Sequence, residues 1–87
     1  MNREELNLKV FERYFGREPG KGSWSEEHDQ KQLNHIGKLV DVWEESQPRD
    51  SGEALDHARD MNLLTDRYYV YDVYWCYQEV GCDPVQA

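Results

Sequence analysis

Eighty-seven residues with 18 acidic and 10 basic side chains, a net charge of −8, are enough for one domain around a single modest core. That balance argues against direct nucleic-acid binding, which needs clustered Lys and Arg to neutralise phosphates, and suits a basic partner or plain solubility. No leader or membrane-spanning run is evident, and Cys76 and Cys82 form no disulfide framework. A cytoplasmic chain with free thiols, spanning residues 1–87 as one domain, is therefore expected.

The charge is uneven. Residues 1–20 balance four basic against four acidic side chains, residues 21–50 carry four against seven, and residues 51–87 carry two against seven.

The first predicted helix covers about residues 3–15. Asn2 can cap it, Glu4 and Glu5 suit the positive end of its dipole, and Gly16 ends it. Leu6, Val10, Phe11, Tyr14 and Phe15 give it a broad apolar face. The stretch from Gly16 to Ser23, GREPGKGS, is a loop by composition. It differs from the phosphate-binding GxxxxGK[ST] pattern in two ways: three residues separate Gly16 from Gly20, and Gly22 intrudes between Lys21 and Ser23. The element before it also reads as helix where a phosphate loop needs a strand.

Ser23 with Glu26 matches a capping box, so the second helix is expected over about 24–46. Leu33, Ile36, Leu39, Val40 and Trp43 form its stripe, and Gly37 beside them permits a close helix contact. His28 and His35 share one side of this helix, but no further metal ligand accompanies them, and a solvated or hydrogen-bonded role is expected. Asp50 with Glu53 opens a third helix over about 51–61. Its apolar side is Ala54, Leu55, Ala58 and Met61; its polar side is Glu53, Asp56, His57 and Asp60. The Asp56, His57, Asp60 cluster reads as a solvated face rather than an acid–base site, because nothing else converges on it. Asn62 allows the turn that follows.

The last helix, about 66–80, falls in DRYYVYDVYWCYQEVG, which holds five of the six tyrosines. A strand over 67–77 would leave two faces of nearly equal polarity, whereas a helix gathers Val70, Val73, Tyr74, Tyr77 and Val80 into one stripe flanked by Tyr69 and Cys76. Thr65 is expected to cap this helix, Leu64 to staple onto Tyr69, and Gly81 to stop it. Tyr68, Tyr71 and Trp75 fall opposite the valine stripe, among Asp72, Gln78 and Glu79. The favoured reading is a central helix buried on every side; the alternative is a docking surface, since Tyr and Trp supply large contact area with few torsions to freeze.

The expected fold class is all-α, a small four-helix domain with short loops, with α+β as the competitor. In size and charge alone the chain is similar to small acidic inhibitors that phages make against host defence or transcription proteins, a likeness that transfers no residue. The expected function is a protein-binding module. It would be an inhibitor or DNA mimic that offers a basic, nucleic-acid-handling host protein carboxylates in place of phosphates. Partner contacts are expected from Tyr68, Tyr71, Asp72, Trp75 and Glu79 and from the acidic row Glu53, Asp56 and Asp60. A homodimer joined through the aromatic face is the alternative; an enzyme, a cofactor or a metal is not expected.

Overall fold

The computed structural model describes residues 2–22, 25–63 and 66–82, with side chains as far as Val80. Four helices follow in order: α1 (Arg3–Phe15), α2 (Glu26–Ser46), α3 (Ser51–Asp60) and α4 (Arg67–Cys82). The chain is all-α. Residues 67–77 are helical, and no strand occurs among the described residues.

Local chemistry accounts for most of the helix ends. The Asn2 side chain accepts from the Glu5 amide at 2.8 Å, and Gly16 closes α1 in the left-handed region at φ 71°. Asp50 caps α3 by accepting from the Glu53 amide at 2.9 Å, while the Glu53 carboxylate accepts from the Arg49 amide at 3.1 Å. At the other end of α3, Asn62 takes φ 62°, the Asn62 amide bonds Arg59 O, and the Leu63 amide bonds Ala58 O. This pair of bonds satisfies the last carbonyls of the helix.

Three expected boundaries are corrected. α2 begins at Glu26, and its cap is Ser25, which accepts from the His28 amide at 3.1 Å; Ser23 and Trp24 lie outside the described residues. The capping-box pattern points to Ser23, which has Glu26 three places on, whereas Ser25 has His28 there and caps with its hydroxyl alone. α4 is opened by Asp66, which accepts from the Tyr68 amide at 2.7 Å; the expected cap Thr65 and staple Leu64 lie outside the described residues. α4 also continues through Gly81 to Cys82 rather than stopping at the glycine. A helix tolerates glycine at a cost of about 1 kcal/mol, so a lone glycine permits a stop without enforcing one.

α1 and α2 run antiparallel: Asn7 lies at Gly37 and Arg17 reaches Asp29. A Cβ on Gly37 would come within 2.9 Å of the Asn7 amide nitrogen, so this glycine lets the two helices approach. α3 and α4 complete the ring, α3 packing on α2 and α4, and α4 packing back on α1. The core is built from Val10, Phe11, Ile36, Leu39, Val40, Trp43, Ala54, Ala58, Val70 and Val73, all fully buried. Met61, expected on the apolar side of α3, is a correction: it sits at the C-cap, past the last helical turn, and is exposed.

Tyrosines span the wider gap between α4 and α2. Tyr74 and Tyr77 meet the Trp43 ring at 5.1 and 5.5 Å, and Tyr69 meets His35 at 5.5 Å. Each hydroxyl finds an acceptor: Tyr74 donates to Pro48 O at 2.9 Å, Tyr69 to Gln32 Oε1 at 3.3 Å, and Tyr77 to the Glu44 carboxylate. Burial first, and for Tyr77 also the Glu44 bond, pushes the Tyr69 and Tyr77 phenols well above their ordinary value. These rings are structural, which explains most of the aromatic density in the last helix.

Candidate functional site

The valine stripe of α4 faces inward, and its opposite side faces solvent. Tyr68 is 62% exposed and Trp75 is 64% exposed. The favoured expectation, a helix buried on every side, is therefore overturned. Its inward side packs on α1 and α3 and reaches Trp43 of α2 through Tyr74 and Tyr77, and none of the other three helices covers the outer side at Tyr68 and Trp75. Tyr71 is half-buried against the edge of the core and meets the Tyr68 ring edge-on at 6.5 Å. The Arg67 guanidinium lies 5.0 Å from the Tyr68 ring centre.

Carboxylates lie among these rings. Asp72 is exposed, and Glu79 pairs with Arg13 of α1. On a helical wheel Tyr68, Asp72, Trp75 and Glu79 fall on one line along α4, a strip in which aromatic and acidic side chains alternate. Cys76, beside that line, is a buried free thiol whose pKa burial raises; the Cys82 side chain lies outside the described set.

The other expected contacts are elsewhere. Asp56 and Asp60 are exposed on α3 and Glu53 is half-buried there. Asp60 and His57 line a groove of about 860 Å³ between α2 and α3, to which α4 contributes nothing. The fold thus puts the aromatic strip and the end of the acidic row on two surfaces. Ser46 lines the same groove as His57 and Asp60, but its hydroxyl donates to Val42 O at 2.7 Å, and Asp56 is not part of that lining. His28 and His35 serve different neighbours: His28 Nδ1 lies 3.5 Å from Asp29, and His35 packs on Tyr69. Among the described residues no group of three or more His, Cys, Asp or Glu is arranged to hold a metal ion.

A buried ion pair explains the glycine-rich loop. Arg17 Nη1 and Nη2 donate to the two oxygens of Asp29 at 2.7 and 2.9 Å, and the Gly20 amide donates to Asp29 Oδ2 at 2.7 Å. Asp29 is 1% exposed, and these bonds, Arg17 first, hold its carboxyl well below the usual range. The Arg17 side chain also crosses Gly22, where a Cβ would meet Arg17 Nε at 2.5 Å. Arg17 and the Gly20 amide are thus spent on an internal carboxylate. The adjacent hollow is lined by Glu26 and Glu27, which would repel a phosphate. Sequence reading passed over Asp29; the available signal was an acidic residue in a first turn behind a loop containing arginine.

No protein-family model, curated protein or solved structure matches the chain. No helix among the described residues is long and apolar enough to cross a membrane.

Proposed function

We propose that the chain is a protein-binding module whose anchor is the outer strip of α4. The observation that carries this reading is the exposure of Tyr68 and Trp75 on a helix whose other aromatics are spent on the fold. Large aromatics flanked by polar groups are the residues on which interface energy concentrates. A foreign partner is favoured over a second copy. An antiparallel pair centred between Tyr68 and Trp75 would bring Asp72 against its own copy, and so would a parallel pair about an axis along α4. Each copy carries a net charge of −8, and like charges brought together across an interface are costly.

The partner class that fits is a basic protein, and a nucleic-acid-handling one fits best. The carboxylate positions at Glu53, Asp56 and Asp60 rise along α3 by about 4.5 and 6 Å, a density a phosphate-reading surface can accept. This extends the proposal to an inhibitor that acts as a nucleic-acid mimic, of the kind phages direct at host proteins. The test is capture from an extract of the organism in which the chain acts, using wild type, Trp75→Ala, and Asp56→Lys with Asp60→Lys. The expected result is a basic protein retained by wild type, lost with Trp75→Ala, and released by moderate salt because exposed charges are screened within about 10 Å at 0.1 M. Light scattering that shows a stable dimer dissociated by Trp75→Ala would instead establish self-pairing.

A further inference from the structure

The groove between α2 and α3 has a chemistry of its own, separate from the α4 strip. Lys38, Asp41, Val42, Glu45 and Ser46 form one wall, and His57, Asp60, Met61, Asn62 and Leu63 the other. Its apolar surface is Val42 and Leu63, half-buried against the core, and Met61, which is 62% exposed. Met61 is held there by the chain. The Met61 amide bonds His57 O, and the turn at Asn62, locked by the Ala58 and Arg59 carbonyls, follows at once, which fixes Met61 at the end of α3. A thioether on a fixed wall is an adaptable contact for an apolar guest.

Charge selects the guest. Asp41 is paired with Arg3, which leaves Glu45 and Asp60 facing the single Lys38, and Asp56 continues the acidic row up α3. Both Glu45 and Asp60 are exposed, so neither carboxylate is engaged in holding the fold. The wall from Lys38 to Ser46 rises about 12 Å, rather more than two helical turns. We infer that this groove receives a short basic amphipathic helix. Its apolar side chains, spaced three and four apart, would lie on Met61, Val42 and Leu63, and its Lys or Arg side chains would reach Glu45 and Asp60. A second copy of this chain is disfavoured as the guest by its net charge of −8.

The experiment is amide NMR on the whole chain, titrated with a synthetic helical Leu/Lys peptide of about four turns. A Leu/Glu peptide of the same spacing and the polyamine spermine are run alongside. The Leu/Lys peptide should move the amides of Val42, Glu45, His57, Asn62 and Leu63 to saturation and leave those of Tyr68 and Trp75 in place. Glu45→Lys with Asp60→Lys should weaken it at least tenfold, and Met61→Ser should weaken it severalfold. All three positions are exposed, so the variants should retain the wild-type spectrum elsewhere. Equal binding of the Leu/Glu peptide, the same shifts at the same concentration with spermine, or no saturation with the Leu/Lys peptide would each overturn the proposal. Shifts confined to Tyr68 and Trp75 would overturn it too, while leaving the reading of α4 intact.

Discussion

Replacing Trp43 and Trp75 in turn by alanine tests the orientation of α4 on which the functional reading rests. Trp43 is fully buried, donates its Nε1 proton to Ala54 O at 3.1 Å, and contacts the rings of Tyr74 and Tyr77. Truncating a buried Trp costs about 3–5 kcal/mol. The lost hydrogen bond at about 1 kcal/mol and two ring contacts at about 0.5–1.5 kcal/mol each put Trp43→Ala at the upper end of that range. A domain of this size has roughly 4–13 kcal/mol of stability in total, so the variant should lose a large fraction of it, and all of it at the lower end of that range. Trp75 is 64% exposed. The buried third of its surface contributes about 1 kcal/mol, and the better helix propensity of Ala returns about half of that. Trp75→Ala should therefore stay within about 1 kcal/mol of wild type. Urea denaturation followed by far-ultraviolet circular dichroism separates the two, because a difference of about 4 kcal/mol moves the midpoint by at least about 1 M. Equal destabilisation by the two substitutions would show that the outer strip of α4 is core and would remove the basis for a docking surface.

Stability should fall in two stages on acidification, as measured by urea midpoints against pH. Burial lowers the His35 pKa, with Lys38 adding to the effect, so that contribution is complete above about 6.5 and is lost as pH falls from there. Asp29 is lowered by Arg17 and Gly20, so its contribution is complete above about 4 and is lost below that; Arg17→Ala should lower the midpoint at neutral pH and flatten the second stage. At the alkaline end the Tyr14, Tyr69, Tyr74 and Tyr77 phenols are all raised, chiefly by burial, so their contribution holds up to about pH 10 and is lost above it. Phenolate absorbance from these four should rise together with unfolding, and a smooth titration of all the tyrosines in a folded chain would contradict their placement. Gly37→Ala should change stability by less than about 1 kcal/mol, since the gain in helix propensity offsets the displacement of one flexible Asn7 amide, whereas Gly37→Leu should cost about 2 kcal/mol or more by forcing α1 off α2.

Much of this protein is legible in its sequence because the deciding physics is local. The helical period that collects Val70, Val73, Tyr74 and Tyr77 against Tyr68 and Trp75 settles helix over strand for α4, whatever packs on it. Asn2, Gly16, Asp50 and Asn62 mark helix ends because a side-chain acceptor or a left-handed backbone acts within a few residues. Local signals failed where the capping-box pattern at Ser23 outranked the plain serine cap at Ser25, and where a glycine, Gly81, permits a stop without enforcing one.

Other features depend on pairs far apart in the chain, and tertiary structure alone decided them. Asp29 reads as one more acid at a helix start, and only the approach of Arg17 and Gly20 makes it the buried anchor of the loop. Among the described residues α1, α2 and α3 leave the outer side of α4 open, and no property of Tyr68 or Trp75 itself says so. Likewise the sequence names the acidic row of α3 and the aromatic strip of α4 as partner contacts without saying whether they share a surface. Helix packing parts them, because a helix shows each neighbour a different side, and α3 turns Asp60 toward α2.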